Sequence, residues 1–177
     1  MMKKRILLLL LVSVMLLSLL AMSFVACGDD DETPSENGGG LTPDYPAPPL
    51  EEDAEDVGEE EEKLDAPAGG GAVGMIYQGE VEIDISDKKV SLYFINPNRS
   101  THNVAVQLVV QGKVLAESGL LTPGKRLTEL ALKDGAAVPE EGVYAENAKL
   151  VVRFYDPTTN ACSIVNSELK VTVTARP

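Results

Sequence analysis

Tryptophan is absent from this sequence, histidine occurs once and cysteine twice. Each shortage removes a class of function. A sandwich that grips sugars on aromatic platforms has little to offer here, because the aromatic residues after position 74 reduce to Tyr77, Tyr93, Phe94, Tyr144, Phe154 and Tyr155. A zinc site needs three or four convergent ligands at a recognisable spacing. A blue-copper set of two histidines and a cysteine is impossible in one chain with a single His. No metal and no cofactor is expected. Basic residues are also scarce, with 15 Lys and Arg against 28 Asp and Glu. Nucleic acid is therefore not an expected partner, since no basic footprint is available for it.

The lone histidine, His102, has Ser100, Thr101 and Asp87 as nearby candidates for a nucleophile and an orienting acid. A triad needs all three groups in hydrogen-bond contact, and many sequences offer such trios by chance. A histidine beside a surface turn is the simpler reading, and the chain is not expected to be an enzyme.

The charge is unevenly placed. The net −13 divides into +3 over residues 1–27, −15 over residues 28–74 and −1 over residues 75–177. The acidity thus belongs to the middle of the chain, and the C-terminal part is nearly neutral. Residues 1–26 start with Lys3, Lys4 and Arg5 and continue as an apolar run from Ile6 to Ala26. A basic start, an apolar middle and small residues at the end are the features of a secretory signal. The run of about 20 residues is also long enough to span a bilayer, so an uncleaved anchor stays open, as does free secretion.

The seam of that run, Phe24-Val25-Ala26-Cys27, resembles the bacterial lipobox. The resemblance implies cleavage between Ala26 and Cys27 and a diacylglycerol on the Cys27 sulfur. It also implies a protein held on the outer face of the cell membrane, with the membrane as a partner through its lipid. Two acyl chains anchor stably where one does not.

Residues 28–74 are rich in Pro, Gly, Asp and Glu. Such composition offers little apolar surface to offset the entropy of ordering, and blocks of like charge repel. Residues 27–74 read as a lipidated cysteine followed by a disordered tether, with a mean span of roughly 40 Å. The run "EEDAEDVGEEEE" lacks the alternating order of a calcium loop. Gly69, Gly71 and Gly74 match G-x-G-x-x-G, but no strand precedes them, so a glycine hinge is expected.

Residues 75–177 alternate apolar and polar side chains with period two, the mark of half-buried strands. The runs are Val81–Ile85, Val90–Phe94, Val104–Val110, 113–118, 125–132, 150–155 and 169–174. Gln111-Gly112 reads as a hairpin turn. In "KRLTELAL" (125–132), Leu127, Leu130 and Ala131 also fit one helical face; a strand is the preferred reading. Seven short strands predict an all-β, two-sheet sandwich of immunoglobulin or fibronectin type. Tyr144, just before a strand, is placed either to bond its hydroxyl to upstream backbone or to lay its ring on the core. Tyr93 and Tyr155 fall in the outward phase of their strands and are candidates for a shared contact patch. Cys162 reads as a buried thiol or as a partner for another chain.

The segments "FINPNRS" (94–100), "ESGLLTPGKRLTELAL" (117–132), "GVYAENAKLVVRFYDP" (142–157) and "NSELKVTVTA" (166–175) together resemble poorly characterised surface proteins of Gram-positive bacteria. The resemblance implies an immunoglobulin-like module on the cell surface and no particular activity. The expected function is a tethered lipoprotein whose sandwich serves protein interaction or envelope structure, through exposed strand edges that accept a partner protein. A small-ligand or glycan module using Tyr93 and Tyr155 is the alternative.

Overall fold

The computed structural model describes residues 41–42, 45–58, 61–68 and 70–177. The expected signal peptide, its cleavage site at Ala26 and Cys27 itself lie outside the described residues. Twelve strands occur among the described ones: β1 (Leu41–Thr42), β2 (Glu55–Asp56), β3 (Ile76–Tyr77), β4 (Glu80–Asp84), β5 (Lys89–Asn96), β6 (Asn103–Val110), β7 (Lys113–Glu117), β8 (Lys125–Ala131), β9 (Gly142–Tyr144), β10 (Ala148–Tyr155), β11 (Cys162–Lys170) and β12 (Thr172–Arg176). They form two sheets. One runs β1-β11-β10-β6-β7; the other runs β2-β8-β5-β4-β12-β9, with β3 also beside β5. Every pairing is antiparallel except β4 with β12.

The period-two pattern explains the core. Val81 and Ile83, Val90 and Phe94, Val104, Val106 and Leu108, Leu127, Leu150 and Val152, and Val173 all point between the sheets and are buried. Apolar burial of this kind is the main favourable term in folding. Six of the seven expected strands are present, and residues 125–131 form a strand rather than a helix. Gln111 and Gly112 both take positive φ, 51° and 76°. That is the mirror-image turn whose twist suits a two-residue hairpin.

The last expected strand is corrected. Residues 169–174 do not make one strand. β11 begins at Cys162 in the first sheet, and at Val171 the chain crosses over and continues as β12 in the second. Alternation alone cannot reveal such a crossing, because Leu169, Val171 and Val173 face the interior on both sides of it. Tyr144 does both things open to it: its ring packs on the core and its hydroxyl donates to the Glu140 carbonyl at 2.9 Å.

The larger correction concerns the tether. From Tyr45 onward the described residues of the acidic segment are not a free chain but a belt laid on the sandwich. Its backbone bonds to loops and edges in turn. Leu120 N–H donates to Pro49 O (2.7 Å), Glu51 N–H to Leu120 O (3.0 Å), Val57 N–H to Gly124 O (2.8 Å) and Leu64 N–H to Arg99 O (2.8 Å). Thr101 N–H donates to Ala72 O at 2.9 Å. β2 pairs with the start of β8, where Asp56 meets Lys125 at 2.7 Å and Glu55 meets Arg126. Ala54, Val73 and Met75 pack against the main core. The belt is held mostly by backbone hydrogen bonds and scattered small side chains. A composition argument weighs side-chain apolarity and does not register such bonds.

β6 is buried along its whole length, and the belt helps to cover it at Ala105. Its second face, with Ala105, lies in a small cluster with Leu120, Tyr155 and Cys162, on which Ala47 packs. Tyr45 lies over Arg153, with the guanidinium carbon 3.6 Å from the ring centroid.

Candidate functional site

A two-sheet sandwich has four edges, and three are occupied or short. The β7 edge is joined to the other sheet, with Lys133 N–H donating to Leu115 O at 2.8 Å. The β8 edge carries β2, and β9 is three residues long. The β11 edge is different. β1 covers it only at Cys162 and Ser163. From Ile164 to Lys170 no strand lies beside it among the described residues.

Opposite Phe154, β11 bulges: Arg153 faces Asn166 and Tyr155 faces Cys162, which leaves three residues of β11 against one of β10. The bulge turns Ile164 and Val165 out of the sheet, and they are 62% and 68% exposed. Behind it, between β11 and the belt, lies a cleft of about 330 Å³ lined by Val73, Met75, His102, Phe154, Val165 and Ser167 among others. The backbone direction on the open edge follows from the ladder. Val171 N–H donates to Ala148 O, and hydrogen-bonded pairs alternate along an antiparallel pair. The amides of Asn166, Glu168 and Lys170 therefore face away from β10. On the same face Lys149 holds Glu168 at 2.6 Å.

Two carboxylates of this sheet and its loops, Glu117 on β7 and Asp156 just after β10, are satisfied internally. Burial alone would raise the Glu117 carboxyl; hydrogen bonds from Gln107 Nε2 (2.7 Å) and Lys133 Nζ (3.0 Å) outweigh it and hold the group below its ordinary value. The Asp156 carboxylate is lowered by the backbone N–H groups of Thr159 and Thr158 and by the Thr159 hydroxyl.

The proposed tyrosine patch does not exist. Tyr93 is on β5 and Tyr155 on β10, in different sheets. Tyr155 is 2% exposed, beneath the belt residue Ala47. Strand phase placed both rings outward, but the outer face of the first sheet is itself covered, which alternation does not show.

The candidates around His102 are also dispersed. The Ser100 hydroxyl accepts from Gly74 N–H (3.0 Å) and donates to Gly74 O (3.2 Å). Thr101 Oγ1 is shared with Ala72 and lies 3.1 Å from His102 Nδ1. Asp87 sits in the β4–β5 turn, its N–H bonded to Asp84 Oδ1. His102 instead packs flat on Gly71, where a Cβ would have no room. These side chains fasten the belt. Cys162 is a free, buried thiol. Among the described residues no group of three or more His, Cys, Asp or Glu gathers as a metal set, and no helix is long and apolar enough to cross a membrane.

Searches against protein-family models, curated proteins and solved structures return no match.

Burial beneath the belt pushes the Tyr155 hydroxyl up to about 12, with Cys162 adding to the shift. A phenol whose folded pKa exceeds its unfolded value near 10 favours folding below pH 10. The contribution disappears as pH rises from 10 through 12, where the unfolded chain ionises first. The protein should lose on the order of 2 kcal/mol over that window relative to Tyr155→Phe. Urea denaturation of both proteins at pH 9 and pH 11.5 measures this. Equal losses in the two would show that Tyr155 is not the group responsible.

Proposed function

We propose that this chain is a lipid-anchored protein of the outer face of the cell membrane, with a non-catalytic immunoglobulin-like sandwich used for protein interaction or envelope structure. The observation that carries the anchor is Cys27 directly after Phe24-Val25-Ala26, at the end of a basic-then-apolar leader. In this reading residues 28–40 link the lipid to β1, in place of the 47-residue tether expected from composition.

The pairing order supports the immunoglobulin-type assignment. β8-β5-β4 corresponds to strands E, B and A of that fold, and β7-β6-β10-β11 to C′, C, F and G. Tyr144 stands just before the F-like β10, with its hydroxyl on upstream backbone, as a tyrosine corner requires. Among the described residues no strand covers β11 beyond Ser163, which supports an interaction role, because exposed edges pair with other strands. The ligand-module alternative has lost its tyrosine patch, and nothing else favours it.

The test is the intact mass of native protein extracted from membranes, with its N-terminal peptide. The expected species spans residues 27–177 with a lipid on Cys27. A mass that retains residues 1–26, with Cys27 unmodified, overturns the anchor.

A further inference from the structure

We propose that the belt is a force-released strap: load entering from the N-terminal side peels residues 46–79 from the sandwich and lengthens the link, while the sandwich stays folded. This rests on the anchored reading, which supplies the load, and gives the belt a task within it. The belt's contacts follow one another in chain order. Residues 49–51 bond to 119–120, residues 55–57 to 124–126, residues 63–64 to 98–100 and residues 72–74 to 100–101. β3 and Gln78 then bond to residues 93–95 of β5. Tension in a chain fixed at successive points is borne by the outermost point until that point gives way. Each group holds only a few bonds, so the belt yields one group at a time.

Peeling stops at β4. That strand lies inside its sheet, with β5 on one side and β12 on the other, and its Val81 and Ile83 are buried in the main core. β12 runs parallel to it over five paired positions, from Glu80 with Thr172 to Asp84 with Arg176. A pull on the N-terminal end of β4 against the C-terminal end of β12 draws the two strands lengthwise past each other. All five positions then resist together. Release of the belt is thus a local opening, separate from unfolding of the core. The released belt has no rival structure to form. Residues 46–74 carry ten acidic side chains and one basic one. Such composition does not order by itself, and its like charges repel. The belt therefore stays extended under load and returns to its main-chain partners when the load falls. The acidic segment has both states, free and docked, and tension chooses between them.

Pulling on single molecules tests this. The full-length chain, with Cys27→Ser and Pro46→Cys, is held in detergent between a handle on residue 46 and a handle on a C-terminal tag. Pro46 is exposed and Cys162 is buried, so the first handle attaches at one place. The expected trace has a first, reversible step of about 34 residues (46–79), roughly 110–120 Å at full extension, and then a larger step at higher force. Asp56→Cys with Lys125→Cys puts thiols on two paired positions. Such positions in an antiparallel ladder have Cα atoms about 4.5–5.5 Å apart, within the range a disulfide spans. Once oxidised, that bond takes the load at residue 56. The first step should then shrink to about 10 residues (46–55) and return to about 34 on reduction. A single step that opens belt and sandwich together, or a first step whose length the disulfide does not change, overturns the strap. Neither result touches the anchor, since the traces involve no membrane. A native mass that retains residues 1–26 overturns the lipid anchor and leaves the two-step trace in place.

Discussion

A chain cut to residues 75–177, the domain that period-two patterning delimits, is expected to be far less stable than residues 41–177. The cut removes β1 and β2, the ion pair of Asp56 with Lys125, and the belt's bonds to Leu120, Gly124, Arg99 and Thr101. It also uncovers Ala105, Tyr155 and Cys162, on which Ala47 packs, and strips Ala54 and Val73 from the main core. Net contributions of about 0.5–1.5 kcal/mol per hydrogen bond, offset by the entropy of ordering the belt, leave a loss of about 3–6 kcal/mol. Small domains have a total stability of only about 5–15 kcal/mol. The melting temperature should fall by about 15 °C or more. Thermal and urea unfolding of the two chains, followed by circular dichroism, decides it. Matching curves would mean that the belt lies on the sandwich without holding it.

Gly119→Val should detach part of the belt while leaving the sandwich folded. The belt crosses Gly119 so closely that a Cβ there would lie 2.6 Å from Pro49 O, 2.7 Å from Glu51 N and 2.8 Å from Glu51 Cα. These are backbone atoms and cannot rotate aside. The same crossing carries the bond from Gly119 N–H to Glu51 Oε2 at 2.7 Å. Steric conflict of this kind costs about 1–3 kcal/mol or more, and lifting residues 49–51 relieves it. Two readouts follow. Cys162, now buried beneath the belt cluster, should react with a thiol reagent about 10- to 100-fold faster, as local opening becomes cheaper. Limited proteolysis should cut between residues 45 and 58 before it cuts any core strand. An unchanged thiol rate would show that the belt does not gate Cys162.

The strands of the sandwich were legible because they are built by burial. Where side chains alternate between core and solvent, as in Val81-Glu82-Ile83 or Val90-Ser91-Leu92, the sequence carries the pattern directly. Three things were not legible, each for a physical reason. The belt is fastened by main-chain groups, and Pro49, Val57, Leu64 and Ala72 bond through N–H or C=O whatever their side chains are. Tyr155 obeys the outward phase yet is buried, because burial of an outward face depends on what a distant segment lays over it. The crossing at Val171 keeps its alternation while changing its sheet. The β11 edge was expected only in the general sense that a sandwich has edges; which edge stays open depends on where β1 and β2 dock. Some signal for the belt was present in Val57, Leu64 and Val73, spaced through the acidic run, but the surrounding carboxylates outweighed it.

The parallel pairing of β4 with β12 has a consequence for the order in which this protein is made. It joins residues 80–84 to residues 172–176, far apart in the sequence. β12 also carries β9 on its other side, so without it β9 has no neighbour in that sheet. A growing chain therefore cannot close its second sheet until residues 172–176 have been made, and contacts so distant in sequence form slowly. The five-residue strand β12 thus acts as a built-in delay on the closing of that sheet.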